Sequence, residues 1–207
     1  MNIKNLFKDY RKLLAITFAI LGAAFVVADF GVSITMSYMA HDYSSNVVFT
    51  FINFAIMCLV CFHLLNGNIN SNYSAYRGMA MFIFLITFGY AETVLINAPL
   101  LVASIINFDI ITLAVLLLMI GAVVVGILSY IRVRRFLYRR NVTYRSLFWL
   151  TFAFTAIVVV SSLLLTVLLI ILNGSFKPSY LDYASLGDAF LSISVLFTVT
   201  RLSPRYY

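Results

Sequence analysis

Charge is scarce in this chain. Only 10% of its 207 residues are Asp, Glu, Lys or Arg, whereas soluble domains carry about a quarter. With 63% of residues hydrophobic and a mean hydropathy of +1.04, that shortage excludes an ordinary water-soluble fold and points to an integral membrane protein. Three prolines leave little room for a linker. Neither a low-complexity tail nor an internal repeat interrupts the pattern, so a single transmembrane domain over residues 1–207 is expected. Cysteine is nearly absent. Cys58 and Cys61 stand in C-x-x-C spacing, which elsewhere suggests redox or metal chemistry. Here His63 is the only nearby partner and both thiols lie in an apolar run, where free Cys packs as a small hydrophobe. Catalytic signatures are missing too: there is no H-E-x-x-H, no G-x-S-x-G, no G-x-x-x-x-G-K-[ST], and no paired cytoplasmic acids followed by Arg of the kind a membrane protease would carry. The chain is therefore not expected to be an enzyme or to hold a metal or cofactor. The first apolar run is too long for a secretory signal and has no cleavage site.

Long apolar runs, by contrast, are abundant. A helix needs about 20 apolar residues to cross a bilayer. The runs predict six spans, at about 13–39, 47–65, 79–105, 110–131, 147–172 and 186–202. The last is shorter and richer in Ser and Thr. The expected class is an all-α polytopic membrane protein.

Basic residues set the expected orientation. Lys4, Lys8, Arg11 and Lys12 precede span 1, and Arg77 lies between spans 2 and 3. Arg132, Arg134, Arg135, Arg139, Arg140 and Arg145 cluster between spans 4 and 5, and Arg201 and Arg205 end the chain. Of the fourteen bases only Lys177 falls in the other loops, which carry Asp42, Asp109, Asp182 and Asp188. The positive-inside rule then predicts a multi-pass protein of the plasma membrane with both termini in the cytoplasm. The same rule accounts for the net charge of +7, through topology and attraction to anionic headgroups. The arginine block carries no RNA-binding motif and no soluble domain surrounds it, so nucleic acid is not an expected partner.

Three segments invite closer reading. In "MNIKNLFKDYRKLL", Ile3, Leu6, Phe7, Tyr10 and Leu13 or Leu14 recur at three- and four-residue steps. Residues 2–12 are therefore expected to form an amphipathic helix in the headgroup plane, the alternative being an early start to span 1 with basic anchors. In "LLNGNINSNYSAYRGM", Asn66, Gly67, Asn68 and Asn70 can end a helix and turn the chain. The residues after that turn are expected to form either a short surface helix able to dock a soluble partner or a plain polar turn. The loop from Asn173 to Asp188 combines Gly174, Pro178 and Gly187 with Tyr180, Leu181, Tyr183 and Leu186. It suits a partly re-entrant hairpin shielded by protein.

Polar groups inside the spans are the other candidates. Asp29 sits in span 1 and Glu92 near the middle of span 3. An acid there costs a few kcal/mol or more, and by default faces a cavity or a partner. Asn53 and His63 in span 2 add polarity, as do Asn97 and Pro99 in span 3. Glu92, Thr93 and Asn97 fall within little more than one turn, broadly on one side. Asp29, Asn53, Glu92 and Asn97 are thus candidates for a translocation path. Interhelical hydrogen bonds between structural polar groups would look the same.

The six-span layout, the basic amphipathic start and the polar segment after span 2 resemble the membrane subunits of bacterial type-2 ABC exporters. "FHLLNGNINSNYSAYRG", Phe62 to Gly78, is similar to the segment where an Asn-Gly leads into a helix that touches the ATPase. "GILSYIRVRRFLYRR", Gly126 to Arg140, is similar to the basic exit of span 4 in those permeases. Many of them carry Ser-Arg-Lys after the Asn-Gly; here only Arg77 is basic. The resemblance implies a dimer of membrane subunits, identical or not, with two ATPase chains that carry the ATP and Mg. It also implies a coupling helix formed by Asn70, Ser71, Asn72, Tyr73, Tyr76 and Arg77. The arginine block is expected to snorkel to lipid phosphates, the alternative being that Arg139 and Arg140 face an acidic surface on the ATPase. The family's cargo is lipid-like or peptide-like. Rival expectations are a proton- or cation-coupled secondary transporter or channel using Glu92 and Asp29, a substrate-binding subunit of a vitamin importer, and a non-transporting accessory or immunity protein.

Overall fold

The computed structural model describes residues 3–39, 45–99, 106, 110–139, 144–173 and 183–202. Among them are six long helices and no strand: α1 (Ile3–Met39), α2 (Ser45–Ile69), α3 (Asn72–Ile96), α4 (Ile110–Arg139), α5 (Tyr144–Asn173) and α6 (Tyr183–Leu202). Each contains a stretch long and apolar enough to cross a membrane. The protein is an all-α, multi-pass membrane protein. Each helix packs on its neighbour in the chain, and α1 closes the ring against α6 along the most extensive contact in the molecule. Helix α6 also leans inward to touch α2 and α3.

At 1.5 Å per residue α1 is about 55 Å long, well beyond a hydrocarbon core of about 30 Å. Its first turns, the expected amphipathic segment, are helical and run without a break into the span. Arg11 donates to the carbonyl of Thr200 at 3.0 Å, which places the start of α1 beside the end of α6. This end also carries Arg77, Arg132, Arg134, Arg135, Arg145 and Arg201, and is called the basic end below.

The Ser and Thr of α6 have a physical explanation. Buried residues make up 44% of its most apolar stretch, against 22–33% in the other five spans. A helix surrounded by helices rather than lipid is selected for small residues and interhelical hydrogen bonds. Ser194 donates to the carbonyl of Ala15 on α1 at 2.7 Å, and the carbonyl of Ser192 accepts from Thr155 on α5 at 3.1 Å. Leu191, Val195 and Val199 join Val60, Leu64, Phe82, Ile83, Phe154 and Val158 in the buried core.

The structure departs from expectation at the turn between α2 and α3. Asn66, Gly67 and Asn68 do not end α2; the helix continues to Ile69. The connection is Asn70 and Ser71, and Asn72 to Arg77 are the first turns of α3, with Ser71 as N-cap receiving the N–H of Ser74 at 3.5 Å. The segment therefore forms no separate surface helix. Gly67 serves close packing instead: a methyl group there would overlap the backbone N and Cα of Ala75 on α3. Farther from the turn, a methyl on Gly78 would come within 2.9 Å of the Leu64 backbone nitrogen. Several polar residues hydrogen-bond across this contact. Ser74 Oγ lies 3.1 Å from His63 Nδ1, donates to the His63 carbonyl at 3.2 Å, and accepts from Asn66 Nδ2 at 3.3 Å. Asn68, fully buried, donates to the Leu64 carbonyl and to Thr198 Oγ1, both at 2.9 Å.

The other end of α3 also differs. The helix stops at Ile96, with the N–H of Asn97 donating to the Thr93 carbonyl at 3.0 Å and its Nδ2 to the same oxygen at 2.8 Å. Pro99 cannot donate to the ladder and crowds the preceding turn. Glu92 therefore lies about one turn from the end of α3, not near its middle. Residues 100–105 lie outside the described residues, as do 174–182, where the re-entrant hairpin is expected. Helix α6 starts at Tyr183, one turn before the expected boundary.

Candidate functional site

The close contact of α2 with α3 at Gly67 and Gly78 is confined to the basic end. Farther along, both helices line one recess of about 840 Å³, shared with α1, α6 and Met119 of α4. Asp29, Asn53 and Glu92, three of the four path candidates, line this recess together. Their levels agree. Asp29 lies about 27 Å along α1 from Arg11, and Glu92 about 22 Å along α3 from Arg77, at 1.5 Å per residue. The fourth candidate, Asn97, does not line it; its side chain caps α3 as described. Thr93 reaches the recess, but its hydroxyl donates to the Gly89 carbonyl at 2.9 Å.

A third acid completes the lining. Asp188 stands on α6, about 20 Å before Arg201 at the same rise per residue, and faces the recess with Ser185. The sequence reading counts Asp188 with the outer-loop acids, although it starts the last span at Leu186. The signal that would have found it is the three-residue spacing of Ser185 and Asp188, which puts both on one face of a helix that starts a turn earlier. Asp29 and Asp188 are half-buried, while Asn53 and Glu92 line the recess from exposed positions on α2 and α3.

Two hydroxyl links hold the neighbouring walls. Tyr90 Oη, on the recess-lining stretch of α3, lies 2.6 Å from Ser161 Oγ on α5. Ser162 Oγ donates to the Ser185 carbonyl at 2.9 Å, tying α5 to the start of α6. Ser33 and Thr50 add hydroxyls, and the rest of the lining is mostly apolar and rich in aromatic rings: Phe30, Phe49, Phe54, Phe88 and Tyr90. Phe30 and Phe54 stack at 4.1 Å between centroids, joining α1 to α2. No Lys, Arg or His is among the described lining residues. Nor do any three His, Cys, Asp or Glu among the described residues converge closely enough to hold a metal ion. The acids are distributed around the recess.

The expected ATPase-contact residues have more varied settings. Asn70 donates to Asn66 Oδ1 at 3.0 Å, and Asn72 Oδ1 accepts from Arg201 at 3.0 Å. Arg201 also donates to the carbonyls of Gly67 and Asn68, each at 3.1 Å, and so caps the end of α2 from α6. Tyr76 packs its ring 5.1 Å from Phe136 on α4. Tyr73 and Arg77 line a second recess of about 450 Å³ with Tyr130 and Arg134. Arg139 is the last residue of α4, and Arg140 lies outside the described residues. Cys58 is exposed and Cys61 buried, both as free thiols.

No family model, curated protein or solved structure matches this chain.

Proposed function

We propose that this chain is a membrane transporter that receives a positively charged organic solute in the larger recess, where Asp29, Glu92 and Asp188 hold its charge. One observation carries this reading: acids from three helices line a single recess whose described lining has no base. An acid within an apolar span by default faces a cavity or a partner, and is a functional candidate for that reason. In this reading, solute movement in one direction is linked to proton movement in the other. The volume, about 840 Å³, is of the size that holds drug-sized ligands. The five aromatic rings add faces on which an organic cation can rest. With the basic end in the cytoplasm, as the positive-inside rule requires, both termini are inside and the recess lies toward the outer half of the plasma membrane.

A second reading is a permease subunit coupled to an ATPase chain that carries ATP and Mg, with a second membrane subunit alongside. The position of Asn70, Asn72, Tyr73 and Arg77 at the basic end favours it. The two-residue connection between α2 and α3 counts against it, because it leaves no separate coupling helix.

Uptake of a fluorescent organic cation into proteoliposomes with an acidic lumen separates the two. Transporter action predicts uptake driven by the pH gradient without nucleotide, and its loss in Asp29→Asn, Glu92→Gln and Asp188→Asn proteins that elute as wild type. Co-purification of a nucleotide-binding chain, with uptake only in the presence of ATP, would replace this reading with the second.

A further inference from the structure

The smaller recess has a chemistry of its own. Along α3, Tyr73, Arg77, Ala80 or Met81, and Phe84 recur at three- and four-residue steps, and all of them line it. Across from them on α4, Tyr130 and Arg134 stand one turn apart. Two arginines and two tyrosines thus line one recess next to the basic end. Guanidinium groups suit phosphate oxygens through parallel N–H donation. Tyr73, Arg77, Phe84 and Arg134 are exposed, so the recess opens on the outer surface of the bundle rather than toward the larger recess.

Its depth separates the possible occupants. Phe84 lies about 10 Å deeper along α3 than Arg77, at 1.5 Å per residue. There its ring meets Tyr130 at 5.7 Å and Phe88 at 6.3 Å between centroids. A soluble ATPase can reach the arginines but not an apolar floor that runs down the membrane-facing side of a span. A phospholipid meets both, its phosphate at the arginines and its acyl chain along Met81 and Phe84. Basic pockets between spans at the cytoplasmic surface are a recognised setting for anionic headgroups.

We infer that the recess between α3 and α4 is a binding site for one anionic phospholipid, its phosphate held by Arg77 and Arg134 with Tyr73 and Tyr130 donating from the sides. This site is independent of cation transport and stands or falls separately from it.

Native mass spectrometry of the purified full chain tests the site, with phosphatidylglycerol, phosphatidylcholine and inorganic phosphate added in separate arms. The expected result is one phosphatidylglycerol retained under activation that strips phosphatidylcholine, with millimolar inorganic phosphate failing to displace it. In Arg77→Gln/Arg134→Gln, occupancy falls about tenfold further than in the charge-matched control Arg135→Gln/Arg145→Gln, as loss of charge-assisted hydrogen bonds requires. Tyr130→Phe, which keeps the ring against Phe84, lowers occupancy about threefold through one lost hydrogen bond. Four outcomes overturn the inference: equal retention of phosphatidylcholine, displacement by inorganic phosphate, a double variant that behaves like its control, or a double variant that keeps its lipid and loses only a co-purifying ATPase.

Discussion

Replacing Gly67 with Ala adds a single methyl group, and the structure makes its effect calculable. That carbon would overlap the backbone of Ala75 and stand 2.7 Å from the Ala75 side chain, where carbon atoms need about 3.5 Å or more. Neither obstacle can rotate away, because both belong to a helix. The α2–α3 hairpin must therefore open by roughly 1 Å, an overpacking cost of about 1–3 kcal/mol. Opening also strains the bonds from His63 and Asn66 to Ser74, at roughly 0.6 kcal/mol each for polar contacts between spans. Alanine returns about 1 kcal/mol by its better helix propensity. The balance is a loss of about 2 kcal/mol, or a melting point lower by about 4–8 °C for a chain of this size. Gly121 supplies the control, since nothing lies within 4 Å of a methyl placed there. Gly121→Ala should keep the propensity gain and melt at or up to about 4 °C above wild type. Thermal unfolding in detergent, followed through the single tryptophan, Trp149, measures both. A Gly67→Ala protein as stable as Gly121→Ala would refute the close contact and the description of the turn built on it.

Arg201→Ala should destabilise the basic end by about 2–3 kcal/mol, since three hydrogen bonds from a charged group are lost and the carbonyls of Gly67 and Asn68 lose their donor. Arg201→Lys should recover less than half, because one ammonium cannot span the fork; faster proteolysis after α2 in both variants would register the change. A green fluorescent protein fused to the C-terminus should fluoresce and a periplasmic reporter phosphatase fused there should stay inactive, as the distribution of bases requires. The reverse pattern would place the basic end outside.

The outline of this fold was legible because bilayer thickness sets it: an apolar run of the right length has few alternatives. The ends of the helices were not, because outside the hydrocarbon core polarity no longer separates helix from turn. Asn66-Gly67-Asn68 has the composition of a helix stop, yet its glycine admits a neighbouring backbone and Asn68 is buried against Leu64 and Thr198. Only the position of α3 and α6 decides that, and position is not local information. Asp29 and Glu92 stood out because an acid in an apolar run is anomalous by itself. Asp188 did not, since Gly187 and the polar residues before it gave the stretch the character of a loop. Grouping Asp29, Asn53, Glu92 and Asp188 around one space depends on how four helices pack. The Ser and Thr of α6 lowered its hydropathy because it is the helix least exposed to lipid, so the weakest span by composition is the most buried one.

Charge recognition in the larger recess is tested most directly with two ions of nearly the same size and shape and opposite charge. Equilibrium binding of tetraphenylphosphonium and of tetraphenylborate is measured by titration calorimetry on the purified protein in nanodiscs, with empty nanodiscs subtracted. Saturable binding is expected of the phosphonium alone, displaced as the pH falls, and weakened at least tenfold in Glu92→Gln and in Asp188→Asn. Equal binding of both ions, or phosphonium binding unchanged when these acids are removed, would contradict a cation site built from carboxylates.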